Sequence, residues 1–160
     1  MTIRLLPLAI LLLSPLHGFA QARPDCALRP TTLVQMRRCY RPLLVFSPAA
    51  NDPRLLKQQS TLDNAADDMM DRFVLFLPII AKAGGYQPPL DTPYQFLPEK
   101  ETTAIRGQFH VPENQFAVLL LGEDSSIKFR STEPVSITRL NTLIDAMPDR
   151  KIEIRRPHAN

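Results

Sequence analysis

The architecture of this chain follows from one segment, Pro42-Leu43-Leu44-Val45-Phe46-Ser47-Pro48, and from the residues that come after it. Its continuous apolar run is typical of a strand that is buried on both faces of a sheet. Asp52-Pro53 then offers an N-cap and a proline for the first turn of a helix. We predict this helix over 53–71 and a second buried strand over 72–77. Together these elements form a βαβ unit, whose strands are parallel.

The remaining elements complete an α/β pattern. We predict a short helix over 31–38, an irregular segment over 84–98, a helix over 98–109, strands over 116–121 and 127–131, and a helix over 136–147 that ends at Pro148. The last strand alternates apolar and basic residues, as a half-exposed edge strand does. The order is β-α-β-α-β-β-α after a short extra N-terminal helix. It matches the core of the thioredoxin fold, although other α/β folds share the pattern.

The first 22 residues have the pattern of a secretory signal peptide. Arg4 precedes a Leu-rich run over 5–16, and Ala20 and Ala22 are the small residues of the cleavage site. We predict cleavage after Ala22, with Ala20 as the alternative. The run, if helical, spans only ~18 Å against ~30 Å of hydrocarbon, which disfavours an uncleaved membrane helix.

Cleavage would leave residues 23–160 as a single domain with its core at about 31–154. We therefore expect a secreted or periplasmic protein without a membrane anchor.

The full-length net charge is only +3, and its basic residues form no stripe apart from Arg150-Lys151 and Arg155-Arg156. This favours a protein or envelope partner over nucleic acid, and leaves the oligomeric state open.

The chain has two cysteines, Cys26 and Cys39. Two cysteines in an exported chain most often pair with each other. A bridge across so short a loop adds ~3 kcal/mol to the free energy of unfolding. The spacing is not C-x-x-C, and neither cysteine has neighbours that suit zinc. We predict a structural disulfide, with a redox-active pair and free or intermolecular thiols as the alternatives.

Five segments resemble a family named only as domain of unknown function 4174. They are Pro42–Pro48, Asp52-Pro53-Arg54, Phe116–Gly122, Lys128-Phe129-Arg130-Ser131 and Ile144-Asp145-Ala146-Met147-Pro148. The resemblance covers about Leu33 to Ile154. It implies a fold similar to that of thioredoxins and peroxiredoxins, and no established biochemical role. Family members occur among secreted bacterial proteins, and related domains occur in coiled-coil domain-containing protein eighty and the sushi-repeat proteins.

The resemblance also indicates where a reactive thiol would lie. In thioredoxin-like enzymes the reactive cysteine follows the first core strand at a helix N-terminus, where the helix dipole favours the thiolate. Residues 47–52 contain no cysteine, so we reject thiol chemistry at that position. Ser47, Asn51 and Asp52 form a candidate loop for binding an anion or a peptide backbone. The alternative is that Asp52 caps the helix and Asn51 makes a turn.

The other polar residues give weaker signals. His110 and His158 are far apart, so we predict no catalytic residue, no metal ligand and no cofactor. Lys128 and Arg130 form a candidate polar cluster, although charges that discourage edge pairing explain them as well. Asp145 and Arg150 suit a structural salt bridge.

These residues favour an exported thioredoxin-fold protein that lacks the reactive cysteine, is redox-inactive, and acts as a binding or envelope accessory protein. The alternative is a weak thiol–disulfide or peroxide oxidoreductase that uses Cys26 and Cys39. A hydrolase centred on His110 is a third and more remote class.

Overall fold

The computed structural model describes residues 25–155. The predicted signal peptide, with Ala20 and Ala22, and His158 lie outside the described residues. The helices are α1 Leu33–Met36, α2 Pro53–Asp63, α3 Ala66–Asp71, α4 Glu99–Phe109, α5 Ile137–Asp145 and α6 Pro148–Arg155. The strands are β1 Arg41–Ala49, β2 Val74–Lys82, β3 Ala117–Leu121 and β4 Ile127–Ser131. Between residues 25 and 155, no helix has the length and apolar character needed to cross a bilayer.

The strands form one mixed sheet in the order β2-β1-β3-β4. β1 runs parallel to β2, with Leu43 opposite Phe76, whereas the pairs β1–β3 and β3–β4 are antiparallel. α2 and α3 form the crossover that parallel neighbours require. The predicted α/β class, the thioredoxin-like element order and the extra N-terminal helix are confirmed.

β1 lies at the centre of the sheet and contributes to a core on each face. Leu43 and Val45 belong to one apolar cluster, and Leu44 and Phe46 belong to the other. All of them are fully buried. The first cluster lies under α2, α3 and α5, and the second lies under α1 and α4. A strand covered on both faces needs apolar residues at successive positions, which explains its sequence.

The helix predicted over 53–71 is in fact two helices. α2 ends at Asp63 with Asn64 as its C-cap, and Ala65 leaves the helical region at φ −139° and ψ 37°. α3 then begins with Asp67 and Asp68 in its first turn, where carboxylates interact favourably with the helix dipole. The apolar spacing of the sequence hides this break because both helices bury residues on the same side of the sheet.

Pro148 begins a helix instead of ending the polypeptide's regular structure. α5 ends at Asp145, two residues before the predicted end at Met147, and Ser136 caps its start as predicted by accepting a hydrogen bond from the Arg139 amide. Pro148 then occupies the first position of α6, where proline is well tolerated because that N–H has no helical partner. The correction adds one polar helix after the predicted core.

The irregular segment 83–98 runs beside the outer edge of β2. The Phe76 amide donates to the Pro93 carbonyl at 2.9 Å, and the Gln95 amide donates to the Phe76 carbonyl at 3.0 Å. These two bonds make a one-residue parallel bridge between Tyr94 and Phe76. The segment therefore covers that part of the sheet edge.

Side chains of α2 hold the same segment in place. The Asp63 carboxylate accepts hydrogen bonds from the amides of Leu90 and Thr92 and from the Thr92 hydroxyl, the last at 2.8 Å. Burial alone would raise the pKa of Asp63, but these hydrogen bonds outweigh it and lower that pKa. The Tyr86 hydroxyl donates to Gln59 Oε1 at 2.6 Å. The loop is thus fixed to the helix along most of its length.

Candidate functional site

The two cysteines form a disulfide at the amino end of β1. Their Cα atoms are 5.6 Å apart across a sequence separation of 13 residues. Cys39 is buried, and the adjacent Tyr40 hydroxyl donates to the Ala27 carbonyl at 2.8 Å. The predicted pairing of Cys26 with Cys39 is confirmed. It fastens the segment before α1 to the start of the central strand.

The candidate binding loop lies at the opposite, carboxyl end of β1. Ser47 is fully buried, and its hydroxyl donates to the Ala49 carbonyl at 2.8 Å. Asp52 is buried and caps α2 by accepting from the Arg54 amide at 2.9 Å. Asn51 is exposed in the turn between them. Two of the three predicted residues are therefore engaged within the protein, and Asn51 is the one presented to solvent.

Arg54 completes the start of α2. Its Nε and Nη2 atoms donate to the two Asp52 carboxylate oxygens at 3.0 and 2.7 Å, and its guanidinium lies 5.0 Å from the centre of the Phe116 ring. The hydrogen bond from Arg54 holds the pKa of Asp52 below its usual value. A carboxylate paired with a cation thus occupies the helix N-terminus where a thioredoxin-like enzyme would hold its thiolate.

Arg106 of α4 joins the carboxyl ends of both parallel strands. Its Nη2 donates to the carbonyls of Ser47 and Ile79 at 3.0 and 2.8 Å. Its Nη1 donates to the Pro112 carbonyl at 3.1 Å. Burial lowers the pKa of Arg106. Sequence reasoning missed this residue, because its partners are backbone carbonyls of three different segments.

His110 ends α4 in the left-handed conformation at φ 53° and ψ 49°. It lines an open groove of about 440 Å³ with Thr103, Arg106, Gly107, Val111, Pro112 and Glu113. The side chains in this lining include no serine or cysteine beside His110. The groove thus lacks the adjacent nucleophile–base pair that a hydrolase of the serine or cysteine type uses.

Lys128 and Arg130 both lie in β4, where a bulge at Lys128 breaks the strict alternation that the sequence predicts, and each has its own local partner. Lys128 Nζ is 2.8 Å from Asp124 Oδ2, and this hydrogen bond lowers the pKa of Asp124 to about 2. Arg130 Nη1 donates to the Phe109 carbonyl at 3.0 Å. Both residues are exposed at the edge of the sheet.

A buried arginine at the amino end of β1 was not predicted. Arg41 has no exposed surface, and its guanidinium contacts Asp149 at 2.7 Å, Glu153 at 3.1 Å and Glu123 at 3.6 Å. These three acids are close enough together to suggest a metal site. The Arg41 guanidinium already lies among them, so it supplies the positive charge that a bound cation would bring.

Two further arginines extend this network along α6. Arg72 pairs with Asp145 at 2.9 Å, and Arg150 pairs with Asp71 and lies 3.5 Å from Asp145. The hydrogen bond from Arg72 lowers the pKa of Asp145, and Arg150 contributes to the same shift. The salt bridge expected between Asp145 and Arg150 is therefore present, as one contact of a larger network.

Comparisons with known proteins support the fold, and the family model that matches names no activity. Residues 32–153 match the family model described as Domain of unknown function (DUF4174). No curated protein matches the chain.

Among solved structures, the reduced 2-Cys peroxiredoxin of Plasmodium vivax is 17% identical, with a TM-score of 0.56, over 75% of this chain and 84% of that chain. Plasmodium yoelii Prx1a is 17% identical, with a TM-score of 0.57, over 80% of this chain and 84% of that chain. A peroxiredoxin 6 variant of Arenicola marina is 13% identical, with a TM-score of 0.52, over 78% of this chain and 69% of that chain. At these identities the likeness concerns the fold alone.

Proposed function

Since this chain belongs to the DUF4174 family, whose description names no reaction, we propose that it is an exported thioredoxin-fold protein that acts by binding a partner. In this proposal the Cys26–Cys39 disulfide is structural, and the domain carries out no thiol chemistry. The partner is a protein or another component of the cell envelope.

The position of the cysteines is the observation that carries the proposal. β1 has nine residues, so its ends are roughly 26 Å apart at about 3.3 Å per residue. Cys39 precedes the amino end, whereas the turn and helix start that hold the reactive thiol in thioredoxin-like enzymes follow the carboxyl end. Neither cysteine can reach that site while the strand is intact.

The chemistry at the carboxyl end also favours binding. Thiol exchange needs a thiolate that is stabilised by a helix N-terminus or by a neighbouring cation. Here the N-terminus of α2 and the Arg54 guanidinium both stabilise the Asp52 carboxylate. The exposed Asn51 lies in a turn that is closed by the Asp52 amide, which donates to the Ala49 carbonyl at 3.3 Å.

Replacing both cysteines, as in Cys26→Ser with Cys39→Ser, tests the proposal. Loss of a bridge across this loop should lower the unfolding free energy by ~3 kcal/mol, and the melting temperature by roughly 9–15 °C for a domain of this size. Thiol titration of the native protein and of the denatured protein should detect no free thiol until a strong reductant is added. Peroxide consumption and insulin reduction should equal the buffer blank for both the native and the variant protein.

An oxidoreductase that uses the same pair is the second candidate. The observation in its favour is that Cys26 is only half-buried and lies in the segment before α1, outside both apolar clusters. Such a bridge can open without disturbing the sheet. Turnover of peroxide or of a disulfide substrate that disappears in the double variant would establish this candidate and overturn the binding proposal.

Export is tested separately. The protein should be recovered from the extracytoplasmic fraction of its host with Arg23 as its first residue, or Gln21 if cleavage follows Ala20. Full-length protein in the cytoplasmic fraction would contradict this part of the proposal.

A further inference from the structure

We propose that the outer edge of β4 binds an extended acidic segment of a partner protein, which joins the sheet as an added strand. This inference rests on the proposed binding function and specifies its surface and its partner chemistry. Strand addition obtains affinity from main-chain hydrogen bonds and specificity from alternate side chains.

The two edges of the sheet differ in how they are covered. At the β2 edge, Phe76 is already hydrogen-bonded to segment 93–95, and Pro78 has no N–H to donate. At the other edge, β4 is the last strand, and within residues 25–155 no backbone outside β3 and the hairpin turn pairs with it. The edge that accepts another strand is therefore that of β4.

Cationic side chains lie on both faces of this edge. Arg130, opposite Leu119, projects from one face of β4, and the Arg139 guanidinium lies over the Phe129 ring on the other, 5.7 Å from its centre; Lys128 lies at the β-bulge between Ile127 and Phe129. Among these three cations, only Lys128 has a carboxylate partner within ion-pair distance in the part of the chain that the structure describes, Asp124. An added strand with carboxylates would neutralise charge that the protein itself leaves exposed.

The same charges disfavour a second copy of this chain as the occupant. Two β4 strands could pair antiparallel in a register centred on residue 128, 129 or 130. In the first and third registers, Lys128 or Arg130 would lie opposite its own copy. In the second, Lys128 would lie opposite Arg130. Like charges directly opposite each other destabilise a strand pair. The cations therefore reject self-pairing and admit an acidic partner, as expected when specificity depends on repulsion as well as attraction.

The alternation along β4 specifies the partner sequence. Residues of the added strand on the Arg130 face should be Asp or Glu. Those on the other face would contact Phe129 and should be apolar. The partner segment is accordingly an alternation of acidic and β-branched residues over about five positions.

A blocked peptide with alternating Glu and Val residues tests the proposal in a titration monitored by NMR. The purified protein should show saturable shifts of the β4 amides and smaller shifts in β3. A Lys–Val peptide should not bind. A Glu–Val peptide N-methylated at alternate residues should not bind either, because it keeps its charge but cannot complete the main-chain hydrogen bonds.

Matched variants isolate the charge contribution. Lys128→Glu with Arg130→Glu should weaken binding about fivefold to thirtyfold, as two exposed charge pairs would, and should create binding of the Lys–Val peptide. The control, Lys57→Glu with Lys100→Glu, makes the same change on exposed lysines of α2 and α4 and should bind like the unaltered protein. If the first variant does not fold, Lys128→Gln with Arg130→Gln gives the neutral comparison.

Three results would overturn the proposal. They are equal binding of the N-methylated peptide, a dimer whose contact is β4, and an absence of shifts in β4 at saturating peptide. Shifts confined to residues 47–54 would overturn the edge site and leave the proposed binding function intact. That function fails only if the cysteine pair is shown to turn over substrate.

Discussion

Replacing Gln58 with leucine should lower the unfolding free energy by roughly 2–4 kcal/mol. Gln58 lies in α2 without exposed surface, and its amide bonds both backbone groups of Val135 in the loop before α5. Its Nε2 donates to the Val135 carbonyl at 3.2 Å, and its Oε1 accepts from the Val135 amide at 2.6 Å. Leucine leaves two buried backbone groups without partners, at about 1–3 kcal/mol each, and its greater apolar burial offsets only about 1–2 kcal/mol.

The comparison of leucine with glutamate at position 58 sharpens this prediction. Glutamate keeps the acceptor for the Val135 amide but cannot donate to the carbonyl unless it is protonated, so its cost should be greater at pH 7 than at pH 4. Urea unfolding followed by circular dichroism gives the free energy, and hydrogen exchange of the Val135 amide shows whether the loop opens locally. A loss below about 0.5 kcal/mol with unchanged protection of that amide would refute the reasoning, because the amide would then have found another partner.

Three further changes follow from the described contacts. Asp52→Ala should lower the unfolding free energy by about 1–2 kcal/mol, as measured by thermal melts at pH 7. Asp52→Asn should lower it less, because asparagine keeps the N-cap. The stabilising contribution of Asp52 should be complete above about pH 4 and lost as the pH falls through its pKa, which Arg54 lowers. Asp63→Ala should abolish the exchange protection of the loop amides that donate to it, while the amides of β1 stay protected. Arg41→Met removes the fully buried cation from the cluster of Glu123, Asp149 and Glu153 and should lower the unfolding free energy by about 3–5 kcal/mol, with α6 becoming sensitive to limited proteolysis. Lys151→Met on the same helix is the neutral control.

The sequence predicts the sheet well because burial on two faces leaves a direct signal. In a half-exposed strand, positions 44 and 46 would carry polar side chains. Here they are Leu44 and Phe46, and a central strand that is covered on both faces explains why all residues over 43–46 are apolar. The break at Ala65 leaves no such signal, because alanine is a good helix former and the apolar spacing continues beyond it. Pro148 is ambiguous for a related reason, since proline both follows helices and begins them.

The candidate site is predictable only where its contacts are local. The cap formed by Asp52 uses an amide two residues away, and the sequence indicates it directly. Arg106 reaches carbonyls 27 and 59 residues away, and Arg41 contacts a carboxylate 112 residues away. A carbonyl acceptor belongs to every residue, so nothing in the sequence marks which ones a distant guanidinium will bind. Such contacts become visible only after the sheet has placed the segments side by side.

The anchoring of Cys26 to Cys39 and of Glu153 to Arg41 places both ends of the described polypeptide beside the amino end of one strand. These ends can therefore be joined, and a linker of about ten residues, which extends to roughly 33 Å, is sufficient. New termini opened between Gly84 and Gly85, in an exposed turn, would give a circular permutant in which β3 and β4 are synthesised before β1 and β2. In this permutant the order of the strands along the polypeptide would change, while their spatial order in the sheet, β2-β1-β3-β4, would stay the same.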